Sequence, residues 1–267
     1  MFTLENDQLA VEILDPVADA ARFGVRYCTG GYIFQVHDRR HGALLSGPTW
    51  PESFNWFDGQ GLPEAFNLQP LDADGASLIP GIGQCDLGER TIVAPCAWQV
   101  RRTAGAWHFD TSHLLGPYQL ELARHVSLSG RTVRSATRIT SHGRGLTPLR
   151  WFPHPFFPQP DGPQLCKLNI AVDIPADAEY LLDDAGWIAR RGAPVPDGSY
   201  AALAMRHAAP LVIAQRHPLI GIITAFCSYT PTTFPIWGNG RTFSWEPFLE
   251  QTLAPGQTAT WSIDYEF

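Results

Sequence analysis

Lysine is almost missing from this sequence. Lys167 is the only lysine among 19 basic residues. Charged residues make up 17% of the 267-residue chain, below the roughly 25% of ordinary soluble domains. The formal charge is −7. Adjacent arginines occur only at Arg39-Arg40, Arg101-Arg102 and Arg190-Arg191. A nucleic-acid backbone is held by clustered positive charge, so no nucleic-acid partner is expected. A phosphorylated small ligand stays open, because one or two guanidinium forks suffice for it.

Long apolar runs are also lacking. None reaches the roughly 18 residues that read as a membrane span, and the first residues carry no basic segment followed by an apolar core. No membrane association is expected. The five cysteines (Cys28, Cys85, Cys96, Cys166 and Cys227) are widely spaced, and no two form a C-x-x-C pair. Free thiols and a cytoplasmic location are the expectation. Helical windows are scarce as well. The chain has 24 Gly and 23 Pro, which loosen helices or remove their donors. The best helical window runs from Ser199 to Arg206.

What is present is period-two alternation. Tyr118, Leu120, Leu122, Val126 and Leu128 share one parity, and Gln119, Glu121, Ser127 and Ser129 the other. After a turn at Ser129-Gly130, Val133, Ser135, Thr137 and Ile139 alternate with Arg134 and Arg138. This is a long antiparallel hairpin with one apolar face. Ala259, Trp261, Ile263, Tyr265 and Phe267 repeat the pattern at the end of the chain, so that strand belongs inside a sheet. Gly238-Asn239-Gly240 is turn chemistry between two strand-like stretches. Residues 50–70 show no periodicity and read as a long loop or short edge pieces. Residues 151–163, rich in proline, are expected to be largely outside a sheet. No linker or repeat divides the chain, so residues 1–267 read as a single domain. The fold class is all-β, a large antiparallel sandwich with few short helices.

Serine-hydrolase and dinucleotide signatures are absent: there is no G-x-S-x-G, and Gly81-Ile82-Gly83 is a lone G-x-G. His37-Asp38-Arg39-Arg40-His41-Gly42 carries ligand-type residues but reads as a hairpin tip, so no metal site is expected. His108 and His113 have no obvious partner and read as surface or core histidines.

Two segments hold chemistry. His154 lies between prolines in Trp151-Phe152-Pro153-His154-Pro155-Phe156-Phe157-Pro158. Glu246 lies where Pro247 ends the pairing of Phe243-Ser244-Trp245-Glu246-Pro247-Phe248. A carboxylate beside Trp237, Trp245 and Phe248 is partly desolvated, its pKa rises, and it suits a general base. The nine Trp, 15 Phe and seven Tyr suit both a sandwich core and a sugar ligand.

The His154-Pro155-Phe156-Phe157 run followed by Ser244-Trp245-Glu246-Pro247-Phe248 resembles the aldose 1-epimerase (galactose mutarotase-like) superfamily. So do Arg26-Tyr27-Cys28-Thr29-Gly30-Gly31-Tyr32-Ile33, Gly59-Gln60-Gly61-Leu62-Pro63-Glu64-Ala65-Phe66 and the closing Leu253-Ala254-Pro255-Gly256-Gln257 to Trp261. The likeness runs in order from about Arg22 to Phe267. It implies a galactose mutarotase-like β-supersandwich, with a site on the concave face of one sheet. It also implies cofactor-free, acid-base ring opening of a sugar hemiacetal.

In that likeness Glu246 takes the place of the base and His154 that of the acid, facing each other across a gap one pyranose wide. Trp237 and Phe156 are candidate sugar-facing rings, and Arg26, Glu64 and Asn67 candidate polar contacts. The partner is then a small-molecule sugar or sugar phosphate; nothing speaks to oligomeric state. The sequence departs from the pattern at Leu78-Ile79-Pro80-Gly81-Ile82-Gly83-Gln84, where the family usually carries a further His. It also lacks the family's Asn-Arg pair near residues 61–67. A non-catalytic sugar-binding module, and a glycoside hydrolase or lyase, are the alternatives.

Overall fold

The computed structural model describes residues 1–66 and 77–267. The alternation seen in the sequence becomes the longest hairpin of the molecule. Strands Tyr118–Ser129 and Thr132–Ser141 pair from Leu120↔Ser141 to Ser129↔Thr132. A two-residue turn closes it, with Gly130 at φ 56°, a backbone region that glycine enters without a Cβ clash. Leu120, Leu122 and Val126 are buried while Gln119 and Glu121 face solvent. The terminal strand Thr258–Glu266 pairs with both Thr132–Ser141 and Gly221–Cys227.

These strands belong to a ten-stranded sheet that runs from Tyr180–Leu182 at one edge to Gln99–Thr103 at the other. Every strand pair among the described residues is antiparallel. Opposite its inner face lie two smaller sheets. One orders Phe157–Pro158, Thr242–Trp245, Phe234–Gly238, Ser199–Met205 and Val172–Asp173; the other orders Leu249–Leu253, Thr147–Pro153 and Glu64–Phe66.

Aromatic pairs join the layers. Trp245 stacks on Tyr265 with ring centres 6.1 Å apart, and Trp151 meets Trp261 at 5.2 Å. Each such buried ring contributes on the order of 2–3 kcal/mol by leaving water, so this seam fixes the two layers face to face.

The segment Ser199–Met205, expected to be the best helical window, is a strand. Its alanines favour a helix locally, but pairing with Phe234–Gly238 and Val172–Asp173 overrides that preference. Residues 151–163 are largely outside strands, although Trp151–Pro153 and Phe157–Pro158 pair. Residues 50–66 carry turns at 50–52 and 56–58, joined by irregular chain, and end in strand Glu64–Phe66. All five cysteines are free. No helix among the described residues is long and apolar enough to cross a membrane.

Candidate active site

The two proline-flanked segments are brought together by backbone pairing that prolines themselves direct. Pro153 ends strand Thr147–Pro153 opposite Glu64. The chain stays extended beyond it: the His154 N–H donates to the Pro63 carbonyl (2.8 Å) and the Phe156 N–H to the Gly61 carbonyl (2.7 Å). The motif at 59–66 is therefore the neighbour of the motif at 151–157. On the other side, strand Thr242–Trp245 stops at Pro247, and the Glu246 N–H donates to the Pro235 carbonyl (2.9 Å).

Parity then decides where each side chain goes. Trp245 enters the core, fully buried, while Ser244 and Glu246 take the opposite face. Ser244 pairs with Trp237, and Trp237 with Tyr200, so these three share one face of the five-stranded sheet.

Above that face is a hollow of about 380 Å³, lined by Arg26, Asp58, His154, Phe156, Trp237 and Glu246, with Pro48, Phe57 and Tyr200 toward its mouth. This volume lies in the range of small-molecule sites. His154 Nε2 is 3.2 Å from Glu246 Oε1, and the Ser244 hydroxyl is 3.0 Å from His154 Nδ1. Phe156 lies against the imidazole, with ring centres 4.5 Å apart. Tyr27 meets it edge-on at 6.0 Å and donates its hydroxyl to the Asp58 carbonyl. Arg26 donates to the Phe57 carbonyl (2.5 Å), its guanidinium 4.8 Å from the Phe57 ring centre.

Burial governs the electrostatics. Desolvation pushes the Glu246 carboxyl up to about 7, partly opposed by the positive charge of Arg26. Desolvation holds the His154 imidazole well below its ordinary value, and Arg26 acts in the same direction. Below about pH 7 the pair therefore holds one proton, which burial places on Glu246 beside a neutral imidazole. Such a pair can accept a proton at one atom and give one at a neighbouring atom.

Four of the expected residues, Arg26, Phe156, Trp237 and Glu246, line the same hollow with His154. Their spacing differs from expectation: His154 Nε2 and Glu246 Oε1 lie 3.2 Å apart rather than a pyranose apart. The physical reason is that two polar side chains buried in one hollow, away from water, turn their polar atoms toward each other.

Glu64 is placed elsewhere. Its buried carboxylate accepts from Arg124, from the Ser135 hydroxyl (2.5 Å) and from Trp151 Nε1 (3.0 Å). It ties strand Glu64–Phe66 to the ten-stranded sheet and has no place among the residues lining the hollow. Asn67 lies outside the described residues.

The loop 78–84, where the usual further His is missing, turns between strands Ser77–Ile79 and Gly83–Asp86. Its Gly81 N–H donates to the buried His113 Nε2 (3.0 Å). His113 thus has a backbone partner, and burial lowers its pKa to about 4. His108 has a side-chain partner, the Thr103 hydroxyl. Sequence reasoning did not single out Ser244, Phe57, Asp58 or Tyr200. The turn residues Asn55 and Asp58 were a signal for the second and third, because the Asn55 side chain caps the Phe57 and Asp58 N–H groups.

A scan against protein-family models finds no match, and neither does a search of curated proteins. Solved structures do match. A galactose mutarotase related enzyme from Lactobacillus acidophilus aligns with TM-score 0.62 at 12% identity, over 99% of this chain and 96% of its own. The fold is galactose mutarotase-like. A galactose mutarotase-like protein from Lactobacillus casei aligns at 0.58 and 13% identity, over 100% and 99% of the two chains. The Slr1438 protein from Synechocystis sp. PCC 6803 aligns at 0.59 and 16%, over 99% and 94%. The alignments span nearly the full length of these three chains.

Proposed function

We propose that this chain is a cofactor-independent carbohydrate epimerase of the aldose 1-epimerase type, interconverting the anomers of a sugar. The observation that carries the reading is the contact between His154 Nε2 and Glu246 Oε1, 3.2 Å, on the floor of an aromatic-walled hollow.

The chemistry needs one acid and one base at a single carbon. The pair's single proton first passes to His154, and Glu246, then a carboxylate, takes the proton of the anomeric hydroxyl. The electrons of that O–H bond form the C1 carbonyl, and those of the C1–ring-oxygen bond pass to the ring oxygen, which takes a proton from His154. The pair is left as neutral carboxyl and neutral imidazole, the arrangement burial favours. After rotation about the C1–C2 bond, the ring hydroxyl attacks the other carbonyl face and both protons return. Each half of the cycle thus keeps one proton on the pair. Trp237 and Phe156 supply rings for the C–H faces of the sugar, and Arg26 supplies donors for its hydroxyls.

The test is anomer interconversion, followed by polarimetry or NMR exchange over aldoses and sugar phosphates. The expected result is exchange above the uncatalysed rate, lowered at least a hundredfold in Glu246→Gln. Equal rates for wild type and Glu246→Gln on every sugar would remove the assignment. Saturable binding without exchange would make the chain a sugar-binding module instead.

A further inference from the structure

The hollow grades from buried to exposed. Its floor is formed by Phe156, His154 and Glu246, all buried, while two rings at its mouth stand in water: Tyr200 is 62% exposed and Phe57 43%. That exposure is exceptional in this molecule. Of its nine Trp, 15 Phe and seven Tyr, only Phe57, Tyr200 and Phe226 are exposed among the described residues. Two of those three border this one hollow. Large rings left in water beside a concave site mark a surface that a ligand covers.

The mouth is also built. Tyr200 and Trp237 are direct partners on neighbouring strands, which sets their side chains side by side on one face. The Trp237 indole packs directly on Gly198, where an added Cβ would stand 2.7 Å from it. With Ser244, the row crosses three adjacent strands, so Tyr200 stands roughly 10 Å along the sheet from the serine that holds His154. Phe57 is fixed by Arg26, 4.8 Å from its ring centre, and by Arg90 at 5.3 Å. A single pyranose held at His154 and Glu246 leaves Tyr200 uncovered.

We propose that the site takes the reducing end of a di- or oligosaccharide, with the sugar next to the reacting one lying against Tyr200. This rests on the epimerase reading and extends it to a substrate class. The reacting hemiacetal sits at the floor, because only the reducing sugar carries one. The glycosidic substituent then points along the Ser244–Trp237–Tyr200 row to the mouth, where the Tyr200 ring offers its face to C–H bonds.

The experiment compares D-glucose with maltose, cellobiose and lactose, which all end in reducing glucose, and D-galactose and D-mannose with their disaccharides. Anomeric exchange by NMR and binding by calorimetry are measured for wild type, Tyr200→Ala and Tyr200→Phe. The expected result is a lower KM for at least one disaccharide than for its reducing monosaccharide. Tyr200→Ala then raises KM for that disaccharide by about threefold to tenfold, more than it raises KM for the monosaccharide, and Tyr200→Phe restores it. Equal KM values for the two classes, or an equal effect of Tyr200→Ala on both, overturn the inference and leave the epimerase reading standing. Disaccharide binding that needs Tyr200, with no exchange on any sugar, overturns the epimerase reading and keeps the subsite. Neither binding nor exchange overturns both.

Discussion

The Ser244 hydroxyl lies 3.0 Å from His154 Nδ1, on the side of the ring opposite Glu246. A hydroxyl both donates and accepts, so Ser244 can serve either imidazole tautomer, and as acceptor it also serves the imidazolium. In the proposed reaction it is a positioning residue. Ser244→Ala leaves a buried ring nitrogen without a partner, which costs on the order of 1–3 kcal/mol. The expected outcome is a tenfold to hundredfold fall in kcat with little change in KM. The acid limb of the pH–rate profile should move to lower pH, because the imidazolium loses its Nδ1–H acceptor. A fall in kcat with an unmoved profile would reduce Ser244 to a packing role.

The pH dependence follows from the proton count of the pair. The proposed reaction needs one proton shared between Glu246 and His154. At high pH that proton is lost as the carboxyl, raised to about 7, ionises beside a neutral imidazole. At low pH a second proton arrives on His154, whose affinity for it is well below ordinary. The profile of kcat/KM should be a bell with its alkaline limb near pH 7 and its acid limb below the usual histidine range. A rate that climbs through pH 7 and stays high would show that only the ionised carboxylate matters.

The long hairpin and the terminal strand are legible in the sequence because one of their faces meets water, which forces a polar residue at every second position. The convergence of His154 and Glu246 is legible only through the order of short motifs, since period and propensity carry no information on two segments 90 residues apart. Two things are hidden. Tyr200 lies in an alanine-rich stretch that reads as helix, and only pairing on both sides makes it a strand. Glu64 lies inside the motif that borders His154, yet strand parity turns its carboxylate the other way, into the core. A one-residue step decides between site and seam, and residue type alone does not reveal it.

Glu246 should also weaken the fold at alkaline pH. Its carboxyl is raised to about 7 in the folded chain against an ordinary 4.5. The folded state therefore binds the proton more tightly than the unfolded state. That contribution is fully present below pH 4.5 and is lost as pH rises to about 7. The loss amounts to about 3 kcal/mol. Glu246→Gln has no such proton to lose. Urea unfolding at pH 5 and pH 8 should show the variant gaining stability relative to wild type by up to about 3 kcal/mol across that interval. His154 has the opposite sign, weakening the wild-type fold as pH falls below 6.5, and it is common to both proteins. An identical pH slope in the two would place the carboxyl in contact with water.

Glu64 and Arg124 bind the layers rather than the ligand. Both are buried, and the arginine also donates to the hydroxyls of Ser135 and Thr137. Glu64→Gln leaves the guanidinium without its counter-charge in the core, a loss of about 3–5 kcal/mol. The unfolding midpoint should drop accordingly, while KM for the sugar in the folded fraction stays within twofold. The double variant Glu64→Gln with Arg124→Met should recover part of the stability, because the uncompensated charge is gone. That recovery separates an orphaned cation from a general loss of packing. Unchanged stability together with a raised KM would instead return Glu64 to the sugar site.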